Sequence, residues 1–320
     1  MMGGNQAVGL NVGISTVIGA LVMVGVLAAL LGWQKRQRRL RNERPPQSEK
    51  LLRPAGYSLL LRIDDLNDGL FGKFAWGVIG ALLLTGMLPA TWPLAYGLLV
   101  GKFGFDALLH PRILGGALMM GCLMIGSLLA FIHGVIGVFR TMNEMRNCRF
   151  GLRGEQAVAE ALASPKVTKA GYVAFHDIPG SGKWNIDHVV AGPGGVYVIE
   201  TKARSRRRST NHLKDHEVEF DGDVLQFPWS QDRTAAPQAQ DNANWIRKFL
   251  NGALPKDATV QPLILVPGWF VKPSGRFPIK VMNGNYLRDN YLPREPRKIT
   301  EEQLAPIIRL LDERCRTLEF

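Results

Sequence analysis

Three long runs without a single Asp, Glu, Lys or Arg constrain this chain more than any other feature. They cover residues 13–33, 75–100 and 113–139, and the third contains one histidine, His133. A helix needs about 20 apolar residues to cross the hydrocarbon core of a bilayer, and each run is long enough. Pro89 and Pro93 lie inside the second run, where a membrane helix tolerates them as a kink. Three transmembrane helices are therefore expected. A mean hydropathy of +0.00 hides this, because two unlike halves cancel. Residues 1–148 carry 14 Lys+Arg and 7 Asp+Glu around the apolar runs, whereas 149–320 mix 25 Lys+Arg with 20 Asp+Glu. The expected division is a membrane region over 1–148 and a second domain over 149–320. Such a composition argues against a disordered tail protein, a disulfide-stapled secreted domain and a wholly soluble enzyme.

Basic flanks set the orientation of membrane helices. Ten Lys or Arg residues, from Lys35 to Lys73, lie between the first two runs, against Lys102 and Arg112 between the second and third. Arg140, Arg146, Arg149 and Arg153 follow the third. All three observations agree on an N-terminus outside, 34–74 inside, 101–112 outside and the second domain in the cytosol. The basic cluster follows the first apolar run instead of preceding it, which is unlike a cleavable signal. The cluster at 35–53 reads as a topology determinant ahead of a specific lipid or nucleic-acid patch. His133 has no acidic partner in any run, so a packing role is preferred to a proton relay. A transporter or channel partner has little support for the same reason. Cys122, Cys148 and Cys315 stand far apart with no CxxC pair, which suits a reducing compartment without disulfide or zinc cluster.

The second half reads as one α/β or α+β domain of alternating helices and strands. A helix is expected from near Arg153 until Pro165, then strands at 172–178, 185–191 and 195–201. A further hairpin follows, with strands near 217–220 and 224–227. A helix from Pro237 to Leu250, strands at 260–266 and 278–282, and an amphipathic helix over 301–318 complete the order.

The strands at 185–191 and 195–201 form a hairpin in which paired numbers sum to 387. Ala191 then faces Val196, Val189 faces Val198, and Asp187 faces Glu200. Opposed residues share a sheet face, so two acids and Lys202 cluster above an apolar stem. Pro193 cannot adopt the positive φ of a type I′ turn, which predicts a loop longer than two residues. Opposed like charges are destabilising unless neutralised. Two carboxylates with a nearby carbonyl suit Mg²⁺ or Mn²⁺, and a metal there would polarise a phosphodiester oxygen. The plain alternative is a surface salt bridge among Asp187, Glu200 and Lys202, and spacing alone favours that alternative.

The ordered set Gly151-x-x-Gly154-Glu155, Phe175-His-Asp-Ile-Pro179, Asn185-Ile-Asp187-His188 and Gly192-Pro-Gly-Gly195-Val-Tyr-Val-Ile-Glu200-Thr-Lys202 resembles the nuclease-related domain, NERD, grouped with the PD-(D/E)XK nucleases. Ala236-Pro237-Gln238 resembles the family's Pro–Gln helix start, and the resemblance covers most of 149–270. It implies a PD-(D/E)XK nuclease-like α/β fold, a mixed sheet flanked by helices, preceded here by the three-helix transmembrane region. It also implies roles. Asp187 and Glu200 would be metal ligands assisted by the Thr201 carbonyl, and Lys202 would sit at the attacking water. Glu155 would approach the metal, and Gln238 would be an accessory active-site residue. The implied activity is hydrolysis of nucleic acid with Mg²⁺ or Mn²⁺, DNA ahead of RNA, without an organic cofactor. With the apolar runs and their basic flanks, the expected location is a bacterial cytoplasmic membrane, the lipid bilayer being the other partner. A non-cleaving nucleic-acid-binding or protein-interaction module on the same fold is the alternative.

The segment after Lys202 departs from the family in being unusually basic. Arg204, Arg206, Arg207 and Arg208 could hold phosphates or form a solvated loop. Trp184, Trp229, Trp245 and Trp269 could stack on bases, with core packing preferred. His212-x-x-x-His216 has helical metal spacing but falls where loop or strand is expected. His188 should point to the face opposite Asp187.

Overall fold

The structure is a computed structural model that describes residues 51–99 and 111–318, apart from 183, 257, 273 and 274. The expected span 13–33, the basic cluster as far as Lys50, and Lys102 lie outside the described residues. The described residues fall into two compact units, one within Asp64–Met145 and one within Pro45–Ile63 and Arg146–Phe320.

Two helices dominate the first unit, α1 (Tyr57–Leu99) and α2 (Pro111–Leu162), which carry the apolar runs 75–100 and 113–139 up to the limits of the description. Tyr57–Met87 and Leu114–Leu162 each contain a segment long and apolar enough to cross a membrane. Leu118, Met119, Ile125 and Leu129 on α2 are exposed, an apolar surface that a soluble monomer rarely presents. Among the described residues there are two such helices, at the second and third of the expected spans, and the first, 13–33, lies outside those residues.

The helix expected to begin near Arg153 is instead the end of α2. Residues 140–153 contain no proline, and the lone Gly151 costs only about 1 kcal/mol in a helix interior, so nothing stops the helix earlier. Pro165 follows the end of α2 and opens a short helix, α3 (Pro165–Lys169), as its first residue after extended Ser164. Proline suits that position because its missing N–H would have no helical partner.

The second unit is built on a five-stranded mixed sheet. Its strands are β2 (Val173–Pro179), β3 (Asn185–Gly192), β4 (Gly195–Thr201), β8 (Val260–Leu265) and β10 (Lys280–Met282), in the order β10-β8-β4-β3-β2. The β2–β3–β4 meander is antiparallel, and β4–β8–β10 is parallel. Both faces are covered, so Val189–Ala191 of β3 and Val196–Ile199 of β4 run as unbroken apolar or aromatic stretches instead of alternating with polar residues. In β4, residues 195–200 are all buried. On one face Val189, Val196 and Val198 pack with Ala243 and Ile246 of α4 (Ala235–Phe249) and Ile307 and Leu311 of α5 (Glu301–Cys315). On the other, Val190, Tyr197 and Ile199 pack with Val158 and Leu162 of α2. A smaller sheet, ordered β7-β6-β5-β9, comprises β5 (Glu217–Phe220), β6 (Leu225–Gln226), β7 (Gln231–Asp232) and β9 (Phe270–Val271).

Thr300 starts α5 with a capping box, its hydroxyl accepting from the N–H of Gln303 while the Gln303 side chain accepts from the N–H of Thr300. The helix was expected to reach 318 but ends at Cys315. Residues Arg316–Leu318 turn into a strand, β11, that pairs antiparallel with β1 (Leu51–Leu52). The chain between the first two apolar runs thus adds a strand to this unit, a pairing that no local pattern announces.

Candidate active site

The β3–β4 hairpin has the expected register, Ala191↔Val196, Val189↔Val198 and His188↔Ile199. Its loop is shorter than expected, since Gly192 pairs with Gly195 and only Pro193 and Gly194 lie between. Pro193 is spared a positive φ because that conformation, φ 143°, falls on Gly195, two residues further on. The loop is also anchored from outside, where the Pro193 carbonyl accepts the N–H groups of Lys298 and Ile299 at 2.7 and 2.9 Å.

The ladder stops before Asp187, and there the side chain replaces the main chain. Asp187 Oδ2 accepts the Thr201 N–H at 2.7 Å. Lys202 stays in line with the sheet because its N–H donates to the Leu265 carbonyl at 2.8 Å. Strand alternation puts Glu200 and Lys202 on the face that holds Val196 and Val198, which is the face covered by α4.

That helix brings two amides to the strand end. Lys202 Nζ donates to Glu200 Oε1 at 2.8 Å and to Gln238 Oε1 at 3.0 Å. Asn242, one turn beyond Gln238, donates to Glu200 Oε2 at 3.2 Å. The α4 N-terminus is set by Asp232, whose Oδ1 accepts from Thr234 N, Thr234 Oγ1 and Ala235 N. Burial would raise the Asp232 pKa, but these hydrogen bonds and the nearby Lys202 and Arg204 cations hold it below its usual value.

From the opposite side, the last turns of α2 bring Glu155. Gly154 lets the helix come this close, since a Cβ there would lie 2.6 Å from the Cβ of Ala203. Burial, and then the negative charges of Asp177 and Glu200, push the Glu155 carboxyl up to about 8, with a Gly56 backbone hydrogen bond opposing. Asp187 is raised well above the carboxylate range by burial, then by Glu200 and Glu155. Glu200 is raised by burial, against the pull of Lys202. Three acids that resist ionising together, Glu155 and Glu200 buried and Asp187 half-buried, are an arrangement that a cation relieves.

Among the described residues no three His, Cys, Asp or Glu side chains close into a ready metal cage. The donor chemistry nonetheless suits a hard divalent cation. Glu155 Oε2 and Thr201 Oγ1 are buried without hydrogen-bond partners, and oxygen is the ligand such ions take. Asp187, Glu200 and the main chain at Thr201 converge on the strand end between α2 and α4.

The basic loop is partly engaged. Arg204 bonds the buried Asp232 at 2.7 Å and lies over the Phe227 ring. Arg206 donates to the Gly268 carbonyl. Arg207 and Arg208 are exposed. The Arg204 carbonyl accepts from Trp269 Nε1 at 3.1 Å, which ties the first residues of the loop to the small sheet.

Other candidates separate. Trp269 is buried against Phe227 and Trp229. Trp184 is 38% exposed and meets Trp245 edge to face, with centroids 5.6 Å apart. His212 pairs with Glu219 at 3.0 Å on the small sheet. His188 lies behind the site with its Nδ1 2.8 Å from that of His176, and burial lowers the pKa of both rings.

The sequence alone gives Asn242, Asp177 and Arg53 no place in the site. Asn242 was detectable as the residue four after Gln238 on the same helix face. Asp177 takes a left-handed φ of 49°, which Asp tolerates better than most residues. It accepts from the Ser58 N–H and from Arg53 Nη1, at 3.2 and 3.0 Å. Arg53, one of the cations counted toward topology, is therefore the partner of a buried acid.

Neither a curated protein nor a solved structure matches the chain. The family model described as nuclease-related domain matches residues 150–267, which takes in Glu155, the β3–β4 hairpin, Lys202 and all of α4. Over these residues the chain carries a nuclease-related domain (NERD).

Proposed function

We propose that this is a membrane-anchored nuclease that hydrolyses phosphodiester bonds of nucleic acid, DNA ahead of RNA, with Mg²⁺ or Mn²⁺. The observation that carries it is the meeting of Glu155, Asp187 and Glu200 with Lys202 and Gln238 at one sheet end, within the family match. Asp187, Glu200 and the Thr201 carbonyl would hold the cation, with Glu155 beside them. When bound, such an ion supplies Lewis acidity toward a phosphodiester oxygen.

The chain's own residues do the positioning. Gln238 and Glu200 fix the Lys202 ammonium by accepting two of its hydrogens, and the remaining donor can orient an attacking water or a phosphoryl oxygen. In that place its positive charge offsets the negative charge that builds up on phosphorus-bound oxygens in the transition state. Asn242 keeps the Glu200 carboxylate turned toward the strand end. Burial of the acids excludes bulk water and strengthens each of these interactions.

Anchorage is supported by the two long apolar helices, and the Lys and Arg flanks support a cytosolic catalytic domain at a bacterial cytoplasmic membrane. A second reading, a module that binds nucleic acid or protein without cutting, draws on the Lys202–Glu200 ion pair, which satisfies an acid without a metal.

The test uses the full chain in detergent, with DNA and RNA substrates in Mg²⁺, Mn²⁺ or EDTA. We expect metal-dependent cleavage, lowered at least 100-fold in Asp187→Ala and in Lys202→Ala. Cleavage unchanged in both variants refutes the assignment, and salt-dependent binding without cleavage establishes the second reading.

A further inference from the structure

Beside the site, on the outer side of α4, lies a cleft of about 720 Å³ lined by Trp184, Gln238, Asp241, Asn242, Trp245 and Lys248, among others. Two of its walls are the same amides that hold the catalytic candidates, Gln238 on Lys202 and Asn242 on Glu200. Whatever occupies the cleft is therefore one side chain away from the acids.

Its chemistry is that of a base pocket. Trp184 is 38% exposed, and an indole left half open next to polar groups offers a π face without sequence demand. The indole is braced from behind. Trp184 meets Trp245 edge to face, Trp245 stacks on Phe249 at 5.3 Å and 4°, and the Arg314 guanidinium lies 5.6 Å from the Trp245 ring centre. Gly180 sits against the indole so closely that a Cβ there would lie 2.5 Å from it. Such bracing lowers the entropy lost when a ligand stacks. The walls add amide donors and acceptors together with the carboxylate of Asp241, which disfavours a phosphate inside the cleft but accepts from exocyclic amines. Lys248 at the rim can meet the flanking phosphate.

We propose that this cleft is a nucleotide subsite that takes one unstacked nucleobase of a single-stranded nucleic acid, or of a frayed end, against Trp184. The proposal rests on the nuclease reading and adds to it a preference for unpaired strands. A paired base has its edge engaged and its faces covered, so it cannot enter.

The experiment measures binding of fluorescent single-stranded and duplex oligonucleotides to the full chain in detergent, by anisotropy in EDTA, with cleavage in Mg²⁺ read in parallel. Stacking on an aromatic residue changes affinity by roughly 5- to 150-fold per base. Trp184→Ala should weaken single-strand binding about 10-fold or more and leave duplex binding within about 2-fold, whereas Trp184→Phe should retain most of the affinity. Quenching of tryptophan fluorescence by the single strand should be reduced in both variants. Equal affinity of Trp184→Ala and the unaltered chain for single strands overturns the subsite while leaving the nuclease reading intact. So does an equal loss for single strands and duplex, or a Phe variant as weak as the Ala variant. A chain that neither binds nor cuts any nucleic acid overturns both.

Discussion

Replacing Glu155 by Gln isolates the electrostatic cost of the acid cluster. Glu155 is 8% exposed, its Oε2 has no hydrogen-bond partner, and its pKa rises from the ordinary 4.5 to about 8. The folded state therefore holds this proton over a window in which the unfolded chain releases it, and stability falls as pH rises through that window. The contribution is fully present below 4.5, is lost progressively up to about 8 and is flat beyond. At about 1.4 kcal/mol per pH unit, the upper limit of the loss is about 5 kcal/mol; relaxation around an ionised Glu155 brings it to about 2–4. For a unit of this size that corresponds to a drop in Tm of roughly 5–15 °C. The assay is thermal unfolding in EDTA at pH 5 to 9, followed by tryptophan fluorescence, for the full chain and Glu155→Gln. The unaltered chain should lose stability across the window more steeply than the variant, which keeps the smaller slope set by Asp187 and Glu200, whose carboxyls are also raised. Adding Mg²⁺ at pH 8 should restore the unaltered chain and leave the variant little changed. Parallel pH profiles for the two chains would refute the placement of Glu155 in a charge-repelling buried cluster.

Two further substitutions test how the site is held. Arg53→Ala leaves the buried Asp177 without its cation and should cost about 2–3 kcal/mol in urea unfolding; an unchanged midpoint would show the pair to be dispensable. Gly154→Ala puts a methyl where Ala203 already stands and should cost about 1–3 kcal/mol. It should also lower any metal-dependent cleavage by displacing the chain next to Lys202. A fully stable, fully active Gly154→Ala would mean that α2 does not approach the strand end so closely.

Much of the site was legible because it depends on short-range geometry. Strand alternation has a period of two residues, so Glu200 and Lys202 had to share a face. A hairpin register follows from its centre of symmetry, and that placed Asp187 at the open end. The loop length is not legible from Pro193 alone, because the structure uses the positive φ of Gly195 and two amides from residues 298 and 299. The end of the last helix is hidden from local pattern for a related reason, since β11 exists through pairing with a strand far earlier in the chain.

By itself the sequence determined the apolar helices, the hairpin with its acids and lysine, and the start of α4 near a Pro–Gln pair. Each of these is written in runs, periods or turn residues that act over a few positions. Only the tertiary structure decided which side chains hold the catalytic candidates, Gln238 on Lys202 and Asn242 on Glu200, and that Arg53 partners the buried Asp177. It also decided that Trp184 stays open beside them while Trp269 is buried. These contacts join residues tens to more than a hundred positions apart, and their geometry is set by how helices pack on the two faces of the sheet. No local propensity encodes that distance, because the contact exists only once the intervening chain has closed around the core.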